Sequence, residues 1–141
     1  MILYHFTSRQ HMPLVRQSGL TKGVLPWRVN PDGEIGLVPG WQWLTQNASW
    51  DQEWARTMIR VEAPIRRDAY RIVVDVPQGE LRQLFTWAEI RDRYLPESRE
   101  YIDSFPEAVD WYLFFGEIPP AWFVKIEPNP FRTDLVLEVE A

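Results

Sequence analysis

The first twenty residues constrain the fold of this chain more than any other stretch. Residues Ile2 to Phe6 are apolar and aromatic, a composition that favours a buried strand. A helix is expected from Arg9 to Gln17, because Ser8 can accept hydrogen bonds from the amides of its first turn. Gly19 suits the position just past the end of that helix, where a positive φ is common. The chain therefore starts as a strand that leads directly into a short helix.

Five further strands and three further helices are expected along the chain. The strands are apolar or alternating runs at residues 41–45, 70–76, 111–115, 122–126 and 135–139. The helices follow capping-box patterns that begin at Ser49, Thr86 and Ser104. Residues 21–40 contain three prolines and the turn sequence Asn-Pro-Asp-Gly, and they predict a long irregular loop. The mixed order of elements indicates a single α+β domain across residues 1–141.

Composition excludes several classes of protein. The formal net charge of -5 and the lack of a long basic run argue against a module held to nucleic acid mainly by phosphate neutralisation. The absence of cysteine excludes disulfides, thiol nucleophiles and cysteine-based zinc sites. No apolar run approaches the roughly 20 residues that a membrane helix needs, and the N-terminus shows no signal-peptide pattern. We therefore expect a cytoplasmic protein without a membrane partner.

One histidine and two tryptophans are candidate site residues on their positions alone. His5 lies near the end of the first expected strand, where an imidazole either reaches the rim of a pocket or is a satisfied strand-end residue. Trp41 and Trp43 project to one face of their strand, because strand side chains alternate. These two indoles either stack on a ligand or pack in the core.

Three arginines, Arg66, Arg67 and Arg71, form a second candidate group. Guanidinium groups bind pyrophosphate and nucleic-acid backbones through paired hydrogen bonds. The same pattern is also typical of a solvated surface with acidic partners, and that interpretation is the favoured one.

Two segments of the chain resemble a known family. The run Tyr4-His5-Phe6-Thr7-Ser8, a helix that ends in Ser-Gly-Leu and a strand that ends in Trp43-Leu44-Thr45 resemble the N-terminal half of the ADP-ribosyltransferase-like fold. DarT-type transferases and RNA 2′-phosphotransferases have this fold. The run Ile118-Pro119-Pro120-Ala121-Trp122 resembles the Ile-Pro-Pro segment of DarT-like sequences.

The resemblance implies that NAD is bound as a substrate between the His5 strand and the Trp43 strand. His5 would bind the ribose on the nicotinamide side, with Tyr4 and Thr7 as its neighbours. Trp43 or Trp41 would stack on nicotinamide, and Thr45 would hold the geometry of the site. The implied reaction transfers ADP-ribose to a macromolecular acceptor, protein or nucleic acid, as in bacterial or phage toxin and defence proteins.

The third motif of the family departs from the expected pattern. It normally supplies a glutamate that stabilises positive charge as nicotinamide leaves. The expected position, about seven residues before Ile118, holds Trp111 in this chain. The neighbouring carboxylates Asp110 and Glu107 are the candidate replacements, whereas Glu117 is expected to be an exposed turn residue.

Two other functions are considered beside NAD-dependent transfer. If no carboxylate replaces the glutamate, the chain is a catalytically degenerate member of the fold that acts as a protein-protein binding module. A phosphotransferase would need several basic side chains around one phosphate, and only His5 and the arginines at 66–71 are available. That function therefore ranks below the other two.

Overall fold

The computed structural model describes residues 1–29, 31–33, 35–56, 66–93 and 96–132. Its strands are β1 (Ile2–Thr7), β2 (Val24–Val29), β3 (Ile35–Pro39), β4 (Trp41–Thr45), β5 (Tyr70–Asp75), β6 (Leu84–Thr86), β7 (Trp111–Phe115) and β8 (Phe123–Pro128). Its α-helices are α1 (Met12–Ser18), α2 (Glu53–Arg56), α3 (Trp87–Ile90) and α4 (Pro96–Asp103). Short 3-10 helices occupy Gln78–Gln83, Arg91–Arg93, Pro106–Asp110 and Pro120–Trp122.

Six strands form one sheet in the order β6-β7-β4-β1-β5-β8, and every pairing in it is antiparallel. Strands β2 and β3 form a separate antiparallel hairpin. The described residues therefore form a small α+β domain, as the order of elements predicts. Among these residues, no helix combines the length and the apolar character that crossing a membrane requires.

Each face of the sheet carries its own hydrophobic cluster, because side chains alternate along every strand. The first cluster includes Leu3, Leu44 and Ile72 of the sheet, and α1 covers it with Met12 and Val15. The second cluster contains Trp41, Trp111 and Leu113 of the sheet, Leu25 of the hairpin, and Trp87 and Ile90 of α3. The prediction that Trp41 and Trp43 share one face is confirmed, since Trp43 packs against this second cluster.

The first helix starts later than predicted. α1 begins at Met12 rather than Arg9, and Ser8 does not cap it. The Ser8 hydroxyl instead accepts from the amide of His11 at 3.1 Å and bonds the His11 ring at 2.8 Å, which closes a turn before the helix. Pro13 lies in the first turn, where its missing N–H costs no hydrogen bond.

The prediction of an irregular loop at 21–40 is wrong, because the segment folds back on itself as β2 and β3. Pro31, Asp32 and Gly33 lie between the two strands, and Gly33 takes a φ of 88°. Leu25 is fully buried in the second cluster and holds the hairpin to the sheet. β6 and α4 were also not predicted, and the strand expected at 135–139 lies outside the described residues.

Only one of the three capping boxes forms. The Thr86 hydroxyl accepts from the Glu89 amide, and the Glu89 carboxylate accepts from Thr86 N–H, which starts α3 as predicted. Ser49 instead accepts from the amide of Asp51, and the Gln52 side chain donates to backbone carbonyls of the same turn. α2 consequently begins at Glu53.

The third pattern fails for a different reason. The Ser104 hydroxyl donates to the Tyr101 carbonyl at the end of α4. The next helix, a 3-10 segment, begins one residue later than the pattern requires, with Phe105 at its N-cap, Pro106 in its first turn and no side-chain cap. Ser104 therefore ends α4, a helix that the sequence pattern did not reveal, instead of starting the next one.

The end of α1 is fixed against the loop that follows β7. Gly19 has a φ of 81°, and a Cβ atom built on it would lie 2.0 Å from the carbonyl oxygen of Ile118. Leu20 and Ile118 exchange two backbone hydrogen bonds at 2.9 and 3.0 Å. The segments Ser18-Gly19-Leu20 and Ile118-Pro119-Pro120 both belong to the family resemblance, and the structure places them in contact.

We expect Gly19→Ala to lower the free energy of unfolding by about 2 to 4 kcal/mol, because the new methyl group clashes with backbone in a conformation that L residues avoid. Urea denaturation measures this loss. Gly79→Ala is the matched control, since a Cβ at Gly79 meets nothing within 4 Å. Equal stability of the two variants would show that the Gly19–Ile118 contact is not close.

Candidate functional site

The candidate site lies where the ladder between β1 and β4 stops. Six residues of β1 pair with β5, and five residues of β4 pair with β7. Between β1 and β4, by contrast, Tyr4 and Thr45 are the one pair in register within these fully described strands. We call the part of both strands beyond this pair, Tyr4–Thr7 and Trp41–Thr45, the β1–β4 junction.

His5 supplies the hydrogen bond that replaces the ladder at this junction. Its Nδ1 lies 2.8 Å from the carbonyl oxygen of Trp43. A carbonyl can only accept, so Nδ1 carries the proton and donates, which leaves the lone pair of a neutral ring on Nε2. His5 therefore presents a hydrogen-bond acceptor on the side of the ring away from Trp43.

The surroundings of His5 keep its ring neutral. Burial lowers its pKa from 6.5 to about 4, and the bond to the Trp43 carbonyl opposes this shift only in part. The positive charge of Arg67 and the ring of His11 lower the pKa further. No carboxylate is among the groups that shift this pKa.

The backbone of Phe6 also faces the junction. In an antiparallel sheet, successive residues direct their N–H and C=O groups to opposite sides of the strand. The carbonyl of Met1 accepts from Val76 after β5, so Tyr4 and Phe6 direct theirs towards β4. Since the ladder ends at Tyr4, it provides no β4 partner for the N–H and C=O of Phe6.

Arg67 is a further candidate residue, because its positive charge acts on His5, and sequence reasoning could not distinguish it from Arg66 and Arg71. Its guanidinium carbon lies 4.9 Å over the ring of Trp54, and Nη2 makes a long 3.4 Å bond to the Trp54 carbonyl. Nε is buried without a hydrogen-bond partner. Burial lowers the pKa of Arg67, and the nearby Tyr101 phenol opposes that shift.

The other two arginines have the acidic partners that the favoured interpretation predicts. Arg66 forms an ion pair with Asp68, and Arg71 forms one with Glu127 at 3.1 Å. Arg71 also lies 4.6 Å over the ring of Trp50 and donates to the Ala48 carbonyl, which leaves it fully engaged within the protein.

Tryptophans form a continuous wall beside the junction. The ring of Trp43 lies 5.8 Å from Trp87 and 5.7 Å from Trp111, and Trp111 lies 5.7 Å from Trp54. Trp43 and Trp54 are only half-buried. Trp41 is 7% exposed and packs against Phe115 at 4.9 Å, so it belongs to the core.

The remaining predicted ligand-binding residues occupy different surroundings. Tyr4 points to the face opposite His5, and the guanidinium of Arg71 lies 5.9 Å from its ring. Thr7 is buried at the end of β1. Thr45 is also buried, and its hydroxyl accepts from the amide of Asn47 at 3.0 Å, which turns the chain after β4.

The register of the sheet locates the third-motif position. Trp111 pairs with Thr45, which in turn pairs with Tyr4, so the three positions form one row across β7, β4 and β1. The indole N–H of Trp111 is buried and has no hydrogen-bond partner. A tryptophan therefore fills the place where the family resemblance requires a carboxylate.

The two candidate carboxylates differ in what they bind. Asp110 accepts from the Gln46 side chain at 2.9 Å, and its carbonyl accepts from the Gln46 amide. Glu107 uses one oxygen to accept from the Glu53 amide at the start of α2, at 2.6 Å. Its other oxygen is buried without a partner. Glu117 is exposed, as predicted for a turn residue.

Comparison with known proteins adds no family assignment. No family model matches the chain, and neither a curated protein nor a solved structure matches it significantly. The chemistry of the site is therefore argued from the geometry of its own residues.

The neutral ring of His5 makes stability depend on pH. Below pH 6.5 the unfolded chain binds a proton at His5 that the folded chain does not bind until about pH 4. Stability should therefore fall as the pH is lowered through this window, by on the order of 3 kcal/mol. His5→Asn keeps a donor for the Trp43 carbonyl but does not titrate, so it should lack this component.

Urea denaturation of both proteins between about pH 4 and 7 measures the difference. NMR titration of the His5 ring protons checks the cause directly, since its midpoint should lie near pH 4. A wild type and a variant with parallel stability profiles would mean that His5 is not held neutral by the fold.

Proposed function

We propose that this chain is an ADP-ribosyltransferase-like protein that binds NAD at the β1–β4 junction. The observation that carries the proposal is the interrupted ladder, with His5 bonded to Trp43 in place of the next strand pair. The sequence resemblance, which concerns the same two strands, points to the same ligand.

The nicotinamide end of NAD matches the backbone at the junction. A carboxamide has an acceptor oxygen and a donor NH₂ group side by side. The C=O and N–H of Phe6, which lie beyond the one registered pair of β1 and β4, would offer the complementary acceptor and donor. The half-buried indole of Trp43 borders the same junction and offers an apolar aromatic surface to the pyridine ring.

The ribose next to nicotinamide matches His5. A neutral imidazole with its proton on Nδ1 accepts a hydrogen bond at Nε2, and a ribose hydroxyl is the donor that such an acceptor selects. A protonated histidine would instead offer a donor. The depressed pKa of His5 therefore supports sugar binding at neutral pH.

Transfer of ADP-ribose to a macromolecular acceptor requires a carboxylate near the developing positive charge. Glu107 is the better candidate of the two, because one of its oxygens is buried and has no partner. Asp110 is held by Gln46 through both its side chain and its backbone.

A second candidate function is that of a catalytically degenerate member of the fold that acts as a protein-protein binding module. Trp111 favours this function, since it places a buried indole in the row where the resemblance expects the glutamate. Binding and catalysis therefore need separate measurements.

The binding test is calorimetric titration of NAD into wild type, His5→Asn and His11→Asn. We expect His5→Asn to bind at least about tenfold more weakly, because it retains the donor to Trp43 but loses the acceptor for ribose. His11→Asn is the matched control and should bind like wild type. Unchanged affinity in His5→Asn, or no binding by wild type, would reject NAD binding at this site.

The catalytic test is release of nicotinamide, measured by chromatography. Glu107→Gln keeps an oxygen to accept from Glu53 but removes the negative charge, so it should reduce turnover about 100-fold or more with little change in NAD affinity. The exposed Glu117→Gln is the control and should retain full turnover. NAD binding by wild type without any nicotinamide release would support the degenerate function instead.

A further inference from the structure

Arg67 differs from the other arginines near the site because no carboxylate within the described part of the chain pairs with its charge. No carboxylate among the described residues forms an ion pair with it, whereas Arg56, Arg66, Arg71, Arg91, Arg99 and Arg132 all have one. Of its five N–H donors, one makes a long bond to the Trp54 carbonyl and one, on Nε, is buried without a partner.

Such an arrangement is costly in a protein that binds nothing at this point. Burying a cation without an opposite charge is unfavourable, and a buried donor without an acceptor adds to that cost. A ring face below a guanidinium offsets only part of it. An anion that accepts from the guanidinium would remove both costs at once.

The neighbours of Arg67 also suit an anion. Its positive charge acts on the His5 ring, and the phenol of Tyr101 is close enough to raise the pKa of Arg67. The first 31 residues, which include β1 and α1, contain four Lys or Arg and no Asp or Glu, although the whole chain has a net charge of -5. Arg16 and Lys22 belong to this basic segment, Arg16 exposed and Lys22 partly so. The segment that carries His5 is therefore basic in an otherwise acidic chain.

We propose that Arg67 is the phosphate-binding residue of this protein and that the ligand presents a phosphoryl or pyrophosphoryl group to its guanidinium above Trp54. The fork of N–H donors on arginine matches two phosphate oxygens. The acceptor on His5 then receives a hydroxyl of the attached sugar, so the site selects phosphorylated sugars over free ones. This inference rests on the site of the proposed function, but it does not require the ligand to be NAD.

The test uses inorganic pyrophosphate and ADP-ribose as probes, titrated into wild type, Arg67→Met, Arg67→Lys and Arg56→Met. Arg67→Met should weaken both ligands at least tenfold, and Arg67→Lys should weaken them less, because it keeps the charge without the fork. Arg56→Met removes an exposed arginine of α2 and should bind like wild type. Affinity for pyrophosphate should fall as salt rises in wild type but not in Arg67→Met.

Stability provides a second readout that a structural role would not produce. If Arg67 serves a ligand, Arg67→Met relieves an uncompensated charge, and its melting temperature without ligand should equal or exceed that of wild type. Pyrophosphate should raise the melting temperature of wild type and not that of Arg67→Met. A lower melting temperature in both Arg67 variants, with unchanged pyrophosphate affinity in Arg67→Lys, would overturn the inference and make Arg67 a structural residue of α2.

The two proposals fail in distinguishable ways. Binding of pyrophosphate that depends on Arg67, in a protein that does not bind NAD, would reject NAD and retain the phosphate site. Binding of NAD that depends on His5 and is equal in wild type and Arg67→Met would reject the phosphate site and retain NAD. Absence of pyrophosphate binding by wild type also overturns the inference.

Discussion

The hydrogen bond from His5 to the carbonyl of Trp43 is the interaction on which the arrangement of the sheet depends. β1 and β4 are the two central strands, yet they share one residue pair. A buried carbonyl without a donor would be costly, so the imidazole satisfies it where the strand backbone does not. This substitution lets the centre of the sheet depart from regular pairing without exposing an unpaired carbonyl, and it fixes the tautomer of His5. The same hydrogen bond therefore links β1 to β4 and determines which nitrogen of His5 can accept a hydrogen bond from a ligand.

Among the residues that the structure describes, three of the four buried side-chain polar atoms without a hydrogen-bond partner lie around one short helix, α2, and the fourth is Nε2 of Gln42. Glu107 bonds the first amide of α2, Arg67 bonds the carbonyl of Trp54 within it, and Trp111 meets the Trp54 ring edge-on. Each of these three side chains has one buried polar atom that lacks a partner. Stable folds pair nearly all such groups, so a cluster of exceptions indicates polar capacity held for a ligand or for water. Trp54 lies at the centre of this cluster, although sequence analysis assigned it no role.

The candidate carboxylate Glu107 and the hydrogen-bond acceptor His5 lie in different surroundings. The charge of Arg67 acts on His5, while Glu107 accepts from the first amide of α2. A transferase that used both would need the ligand to span the distance from the junction to α2, with Trp43, Trp111 and Trp54 as the connecting wall.

Local sequence determined those elements whose signals involve only near neighbours. β1, β4, β5 and β7 follow from apolar alternation, and the Thr86 box formed because both of its partners lie within one turn. Local patterns failed where a distant or unrecognised group competed. Ser104 bonds a carbonyl of the unpredicted α4, and residues 21–40 became a hairpin because Leu25 is buried against the second cluster.

The candidate site shows the same difference between features that depend on near neighbours and features that depend on residues far apart in the chain. The sequence is enough to predict that His5 and Trp43 lie on two strands and that a tryptophan stands at position 111. The fold is needed to see that β1 and β4 pair at one position, that burial lowers the pKa of His5, and that Arg67 differs from Arg66 and Arg71. The reason is physical: hydrogen-bond satisfaction, burial and charge pairing depend on residues far apart in the chain, and three neighbouring arginines with the same side chain are distinguished only by what the fold places beside them.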